Sequence, residues 1–96
     1  METQDHIAIT IFSRHHGVES SFVTSLGDFG LIEIIEIERE YYFPLKQLPM
    51  AEKMIRLYLD LRVNAEGIDV VMNLLTRMDE MQREITTLRN RLGLYE

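Results

Sequence analysis

Residues 17–33 read GVESSFVTSLGDFGLIE. Between Gly17 and Gly30, the stretch from Glu19 to Phe29 sets Phe22, Val23, Leu26 and Phe29 at i, i+1, i+4 and i+7. That is one apolar stripe of helical period. Gly17 is placed to end a preceding helix in a left-handed conformation. Gly30 closes the second helix, and a strand-like run opens at Leu31. The expected order is short helix, tight turn, short helix, strand. The second helix contains no lysine or arginine at all, and it carries Glu19 and Asp28.

Upstream, residues 7–16 (IAITIFSRHH) place Ile7, Ile11 and Phe12 at helical spacing with Ile9 off that face, and the helix starts near Ala8 or Thr10. Downstream, LIEIIEIEREYYF (31–43) is rich in β-branched and aromatic residues. Leu31, Ile35, Ile37, Tyr41 and Phe43 share one parity, broken by Glu33 and Arg39. The other parity carries Glu36, Glu38, Glu40 and Tyr42 outward after Ile32 and Ile34. A small hairpin bending near Glu38–Glu40 is the simplest arrangement, although no Asn-Gly or Asp-Gly marks its turn. The aromatic run Tyr41–Tyr42–Phe43 then supplies a buried pair and one exposed ring.

Pro44 and Pro49 bracket the entry to a third helix, Met50 to about Leu61, with Met54, Leu57, Tyr58 and Leu61 as its core stripe. Asn64 is a natural N-cap for a fourth helix, and Glu66 suits the positive end of its dipole. This helix runs from Ala65 to about Leu92, roughly 40 Å at 1.5 Å per residue. Heptad a falls on Val71, Met78, Ile85 and Leu92, and d on Leu74, Met81, Leu88 and Tyr95. Before Leu75 the apolar face is wide, through Ile68, Val70 and Met72, as where a helix meets a core. Beyond it the face narrows to two positions per heptad, with Arg77, Gln82, Glu84, Arg89 and Arg91 at e and g. A seam that narrow requires a partner helix, so a homodimer is expected through Val71, Leu74, Met78, Met81, Ile85, Leu88 and Leu92. Parallel and antiparallel pairing both fit.

The expected architecture is mainly α: residues 1–64 form a module of three helices and a hairpin, and 65–96 a long dimerisation helix of the same domain. Ninety-six residues leave little core to enclose a deep active site. The chain has no cysteine, which excludes disulfides, thiolate metal sites and cysteine nucleophiles together. No stretch approaches the roughly 20 apolar residues of a membrane span. The first residues, METQDHIAITIF, lack the basic start of a signal peptide. A cytoplasmic location without membrane association follows as the expectation.

The formal charge is −6 and unevenly spread. Residues 1–50 hold eight acids and three bases (−5), and residues 51–96 eight acids and seven bases (−1). Proteins hold nucleic acid by neutralising phosphates, and an acidic face repels them.

The order of elements resembles that of the MerR-like winged-helix regulators, and the resemblance reaches single residues. Their segment G-V-S-x-x-T-[IL]-R-Y-Y-E-x-x-G-L-[IL] lies over Gly17 to Ile32 without a gap, keeping Gly17, Val18, Val23, Gly30, Leu31 and Ile32. The polar and basic positions depart: the family's arginine falls on Thr24, and its two tyrosines fall on Ser25 and Leu26. The Gly-Tyr-Arg-x-Tyr wing signature is replaced by E-R-E-Y-Y-F at Glu38–Phe43. The whole chain is similar to a smaller group, the chaperone-modulator (CbpM-like) family, through its tail LRVNAEGIDVVMNLLTRMDEMQREITTLRNRL. This resemblance implies a winged helix-turn-helix fold with a hairpin wing and a coiled-coil helix. It further implies a protein that binds and inhibits the J-domain of a DnaJ-like co-chaperone (CbpA-type), thereby regulating a DnaK system.

An acidic surface could cover the basic helix by which a J-domain reaches its chaperone. The candidate contact residues are Asp28, Glu33, Glu36, Glu38, Glu40 and Tyr42. An acidic strand edge can also be a plain solvated edge that resists aggregation. The competing class is a MerR-family DNA-binding transcriptional regulator, whose bases would have to come from Arg14, Arg39, Lys46, Lys53 and Arg56. Nucleic acid is not the expected partner.

Enzyme chemistry finds no foothold. There is no Gly-rich phosphate loop, nucleophile elbow or HExxH, and the spaced carboxylates lie where nothing desolvates them. His15 and His16 are adjacent, so they do not share a helix face for a metal. No catalytic residue, cofactor or metal is expected.

Overall fold

The computed structural model describes residues 5–93. Its elements run β1 (His6–Ala8), α1 (Ile9–His16), α2 (Ser20–Asp28), β2 (Ile35–Ile37), β3 (Glu40–Pro44), a 3-10 turn (Leu45–Gln47), α3 (Leu48–Leu61) and α4 (Ala65–Leu92). The molecule measures 55 × 33 × 20 Å, and the 28-residue α4 spans about 42 Å at 1.5 Å per residue.

The punctuation residues act as the sequence predicts. Gly17 caps α1 at φ +70° and ψ +35°. Gly30, at φ +75°, turns the chain out of α2, its N–H donating to the Gly27 carbonyl. Asn64 caps α4 by accepting the Gly67 N–H at 2.8 Å. The boundaries of α4 agree with the expected 65–92. Tyr95, the last expected d position, lies outside the described residues.

The core is a single cluster. Ile9 and Phe12 of α1, Val23 and Leu26 of α2, Ile32, Phe43 of β3, Ala51, Met54 and Ile55 of α3, and Ile68 of α4 are all buried. Several stripe assignments change. Ile7 does not belong to α1. It sits in β1 opposite Phe43, so the register of α1 moves, Ile9 becomes core, and Ile11 stands 61% exposed. The strand forms because β3 offers it an antiparallel partner, a long-range cause that helical spacing cannot reveal. In α3 the buried residues are Ala51, Met54 and Ile55, whereas Leu57 and Tyr58 are half-buried and Leu61 is exposed. The helix begins two residues earlier than expected, at Leu48. Phe29 caps α2 rather than filling the core and is also exposed. Phe22 is half-buried and stacks on Tyr58, ring centroids 3.8 Å apart.

The wing is larger than a hairpin, a three-stranded antiparallel sheet of order β1-β3-β2. Its turn is a two-residue loop, because Ile37 pairs with Glu40. Glu38 and Arg39 occupy it at φ +52° and +69°. Such loops favour Asn-Gly, since both residues take left-handed backbone. A side chain there costs roughly 1–2 kcal/mol per residue relative to ordinary backbone. Replacing the pair by Glu38→Asn and Arg39→Gly should therefore raise stability by about 1–2 kcal/mol, measured as a higher urea midpoint at unchanged slope.

That short turn also corrects the parity of the wing. A loop of two residues reverses the relation between odd and even numbers across the hairpin, so Ile35 lies opposite Tyr42, Glu36 opposite Tyr41, and Ile37 opposite Glu40. Directly paired residues share a face of the sheet. Glu36 thus shares the helix-side face with Tyr41 and Phe43. Glu40 and Tyr42 share the other face with Ile35 and Ile37. Tyr41, not Tyr42, is the exposed ring, at 47%.

Candidate protein-docking surface

α2 and the wing flank a depression of about 640 Å³. Its sides are Thr24 and Asp28 of α2, Glu33 and Ile34 before β2, and Tyr41 of β3. The close approach depends on Gly27, where any Cβ would collide with the Ile34 side chain. The Thr24 hydroxyl is turned back onto the helix, donating to the Ser21 carbonyl at 3.0 Å. Two carboxylates and no base line this depression.

The structure divides the six candidate contact residues. Asp28 and Glu33 meet in the depression, with Glu36 beside Tyr41 on the same side of the hairpin. Glu40 and half-buried Tyr42 lie on the opposite side, and Glu38 occupies the tip. A surface made of all six at once would have to wrap around the wing. Tyr41 was missed as a site residue because odd-even counting put it in the core.

The bases are dispersed. Arg14 is in the last turn of α1, Arg39 at the wing tip, Lys46 in the 3-10 turn, and Lys53 and Arg56 on α3. None projects from α2. Among the described residues, no group of three His, Asp or Glu stands where it could hold a metal ion. His16 instead packs on Phe12, with ring centroids 4.4 Å apart, and its Nε2 lies 3.7 Å from a Glu52 carboxylate oxygen on α3.

The second surface is α4 itself. Met72 is its last residue packed against the core, and from Asn73 to Leu92 every residue except Thr86 is exposed. The seam residues beyond Val71 project freely, among them Met78 at 62% and Leu92 at 70% exposure. No helix among the described residues is long and apolar enough to cross a membrane.

The helix pair joined at Gly17, the three-stranded wing and the long fourth helix form a winged helix-turn-helix arrangement. A search of curated protein sequences finds no match. The family model of the MerR HTH family of regulatory proteins matches residues 7–90, from β1 almost to the end of α4. The chain belongs to that family.

Proposed function

We propose that this MerR-type chain regulates by binding protein rather than DNA. Its partner is the J-domain of a DnaJ-like co-chaperone, which it holds away from a DnaK-type chaperone in the cytoplasm. The observation that carries the reading is the surface of α2, the helix that a winged helix-turn-helix would lay against bases. It offers serine, threonine and Asp28, with Glu33 and Glu36 beside it and no lysine or arginine. DNA affinity depends on several phosphate contacts made by bases, and this surface supplies repulsion. A basic protein helix is the complementary ligand. The narrower likeness to the chaperone-modulator family supports the choice of a J-domain. The exposed seam of α4 supports a homodimer, with two docking surfaces per particle.

The test is titration of a purified J-domain against the native protein and against Glu36→Lys, Glu38→Lys, Glu40→Lys together. Each exposed pair is worth under about 1 kcal/mol, so the three are reversed at once. The triple change covers both sides of the wing. Association should slow by about tenfold, and native binding should weaken as salt rises through roughly 0.1 M. Circular dichroism checks that the variant remains folded. Absence of J-domain binding at about 50 mM salt overturns the co-chaperone reading.

The second reading is a DNA-binding transcriptional regulator. Retardation of duplex DNA at micromolar protein and about 50 mM salt, lost steeply with added salt, would establish it.

A further inference from the structure

The wing has an apolar face that none of the helices covers. On β2 and β3 it consists of Ile35, Ile37 and Tyr42, with Ile35 directly opposite Tyr42. β1 extends it through Ala8, which lies opposite Tyr42 on its other side. These four are half-buried, and none of them packs against the core cluster, whereas Ile7 and Ile34 do. At one end lies a depression of about 540 Å³ formed by Ile35, Pro44 and Leu45, with Asp5, Glu33 and Lys46 at its rim.

An antiparallel sheet with one wet face normally alternates apolar-in and polar-out. Residues 32–37 read IEIIEI and do not. Ile34, just before β2, packs against the core, whereas β2 itself alternates, with Ile35 and Ile37 on the outer face and exposed Glu36 on the helix side. The apolar parity of β2 is thus the one turned away from the helices, where a face meant for water would carry the polar residues.

We propose that this outer face of the wing docks an amphipathic helix of the partner protein, apolar on one side and flanked by lysines or arginines. The inference rests on the protein-binding reading above and adds to the α2 surface a second contact, on the side of the wing facing away from α2. Charge complementarity selects the occupant. Ile35, Ile37 and Tyr42 provide a flat apolar centre. Asp5 and Glu33 stand at one end, Glu38 and Glu40 at the other, and among the described residues Lys46, Arg39 and the His6 imidazole in the depression oppose them. An uncharged or acidic helix would leave those carboxylates uncompensated, whereas a basic border meets them at the rim. Apolar contact at the centre supplies the affinity, and the rim charges set approach and orientation.

The probe is a synthetic helical peptide of leucine, lysine and arginine, about 18 residues long, titrated into isotopically labelled native protein at low salt. Chemical-shift changes should centre on Ala8, Ile35, Ile37 and Tyr42. The triple variant Ile35→Thr, Ile37→Thr, Tyr42→Thr keeps β-branched residues in the strands and should weaken binding by at least about tenfold. The milder Ile37→Thr alone should give a measurable part of that loss if the triple variant fails to fold. Shift changes centred on α2 or on α4, or equal affinity for a folded variant, would overturn the proposal. Dissociation of a native dimer by Ile37→Thr would also overturn it, by making a second copy of the chain the occupant. The same variants are titrated with the J-domain. A peptide that maps to this face while the J-domain does not bind removes only the co-chaperone reading. A J-domain that binds native and variant proteins alike removes only this face.

Discussion

Ile85→Asp combined with Leu88→Asp should convert the protein to a monomer, with the winged half still folded. The two residues occupy adjacent a and d positions where α4 has left the core, and they are 42% and 54% exposed in the single chain. Burying such a side chain contributes about 1.5–3 kcal/mol. A dimer buries four of them at this point, each already about half covered in the single chain, so their loss removes roughly 3–6 kcal/mol of association energy. At about 1.4 kcal/mol per decade, that is at least about two orders of magnitude in Kd. The aspartates add the cost of taking charge into an apolar seam. Sedimentation at micromolar concentration measures the outcome, with circular dichroism as the control for folding. A double variant that remains dimeric would place the interface elsewhere. A native protein that sediments as a monomer would remove the interface altogether.

The winged half should tolerate these changes because α4 plays two roles along its length. Its first two turns bring Ile68, fully buried, and Met72 against the core. Farther on, the helix is a projecting rod whose apolar residues have no counterpart among the described residues. The same division was legible in the sequence, where a broad apolar face narrows to a and d after Leu75.

Local signals translated well into structure because their causes are local. Gly17, Gly30 and Asn64 act through their own backbone or through hydrogen bonds to residues within three positions. The features that escaped depend on partners distant in sequence. β1 exists because residues 6–8 pair with residues 42–44, and no pattern within residues 6–16 distinguishes it from an extra helical turn. The wing parity failed through one physical fact, the length of the turn. Without an Asn-Gly to mark a two-residue loop, alternation was carried straight through Glu38 and Arg39. Phe43 and Tyr42 keep the faces expected of them, but Ile35, Glu36 and Ile37 on the other side of the turn exchange theirs. The missing bases on α2 could be counted from the sequence. Which carboxylates stand together could not, because that depends on the register of β2 against β3.

The register also identifies the residue whose loss should be felt most in the fold. Phe43 is completely buried, faces Ile7 across the β1–β3 pair, and meets Phe12 edge-on at a centroid distance of 5.1 Å. It is therefore the side chain through which the wing is fastened to α1. Phe43→Ala should cost about 3–5 kcal/mol, the transfer energy of the ring plus the cavity left behind. A domain of this size has about 5–14 kcal/mol in total, so the variant should lose at least about a fifth of its stability. Phe29→Ala is the matched control. Its ring caps α2 in the open at 40% exposure, and removing it should cost about 1 kcal/mol or less. Urea unfolding of both changes in the Ile85→Asp, Leu88→Asp background makes the comparison independent of protein concentration. Amide exchange adds a spatial readout, because losing Phe43 should release β1 and β3 before it releases α4. Equal costs for the two phenylalanines, or a Phe43 variant whose sheet amides remain as protected as before, would mean that the wing is held to the helices by something other than this ring.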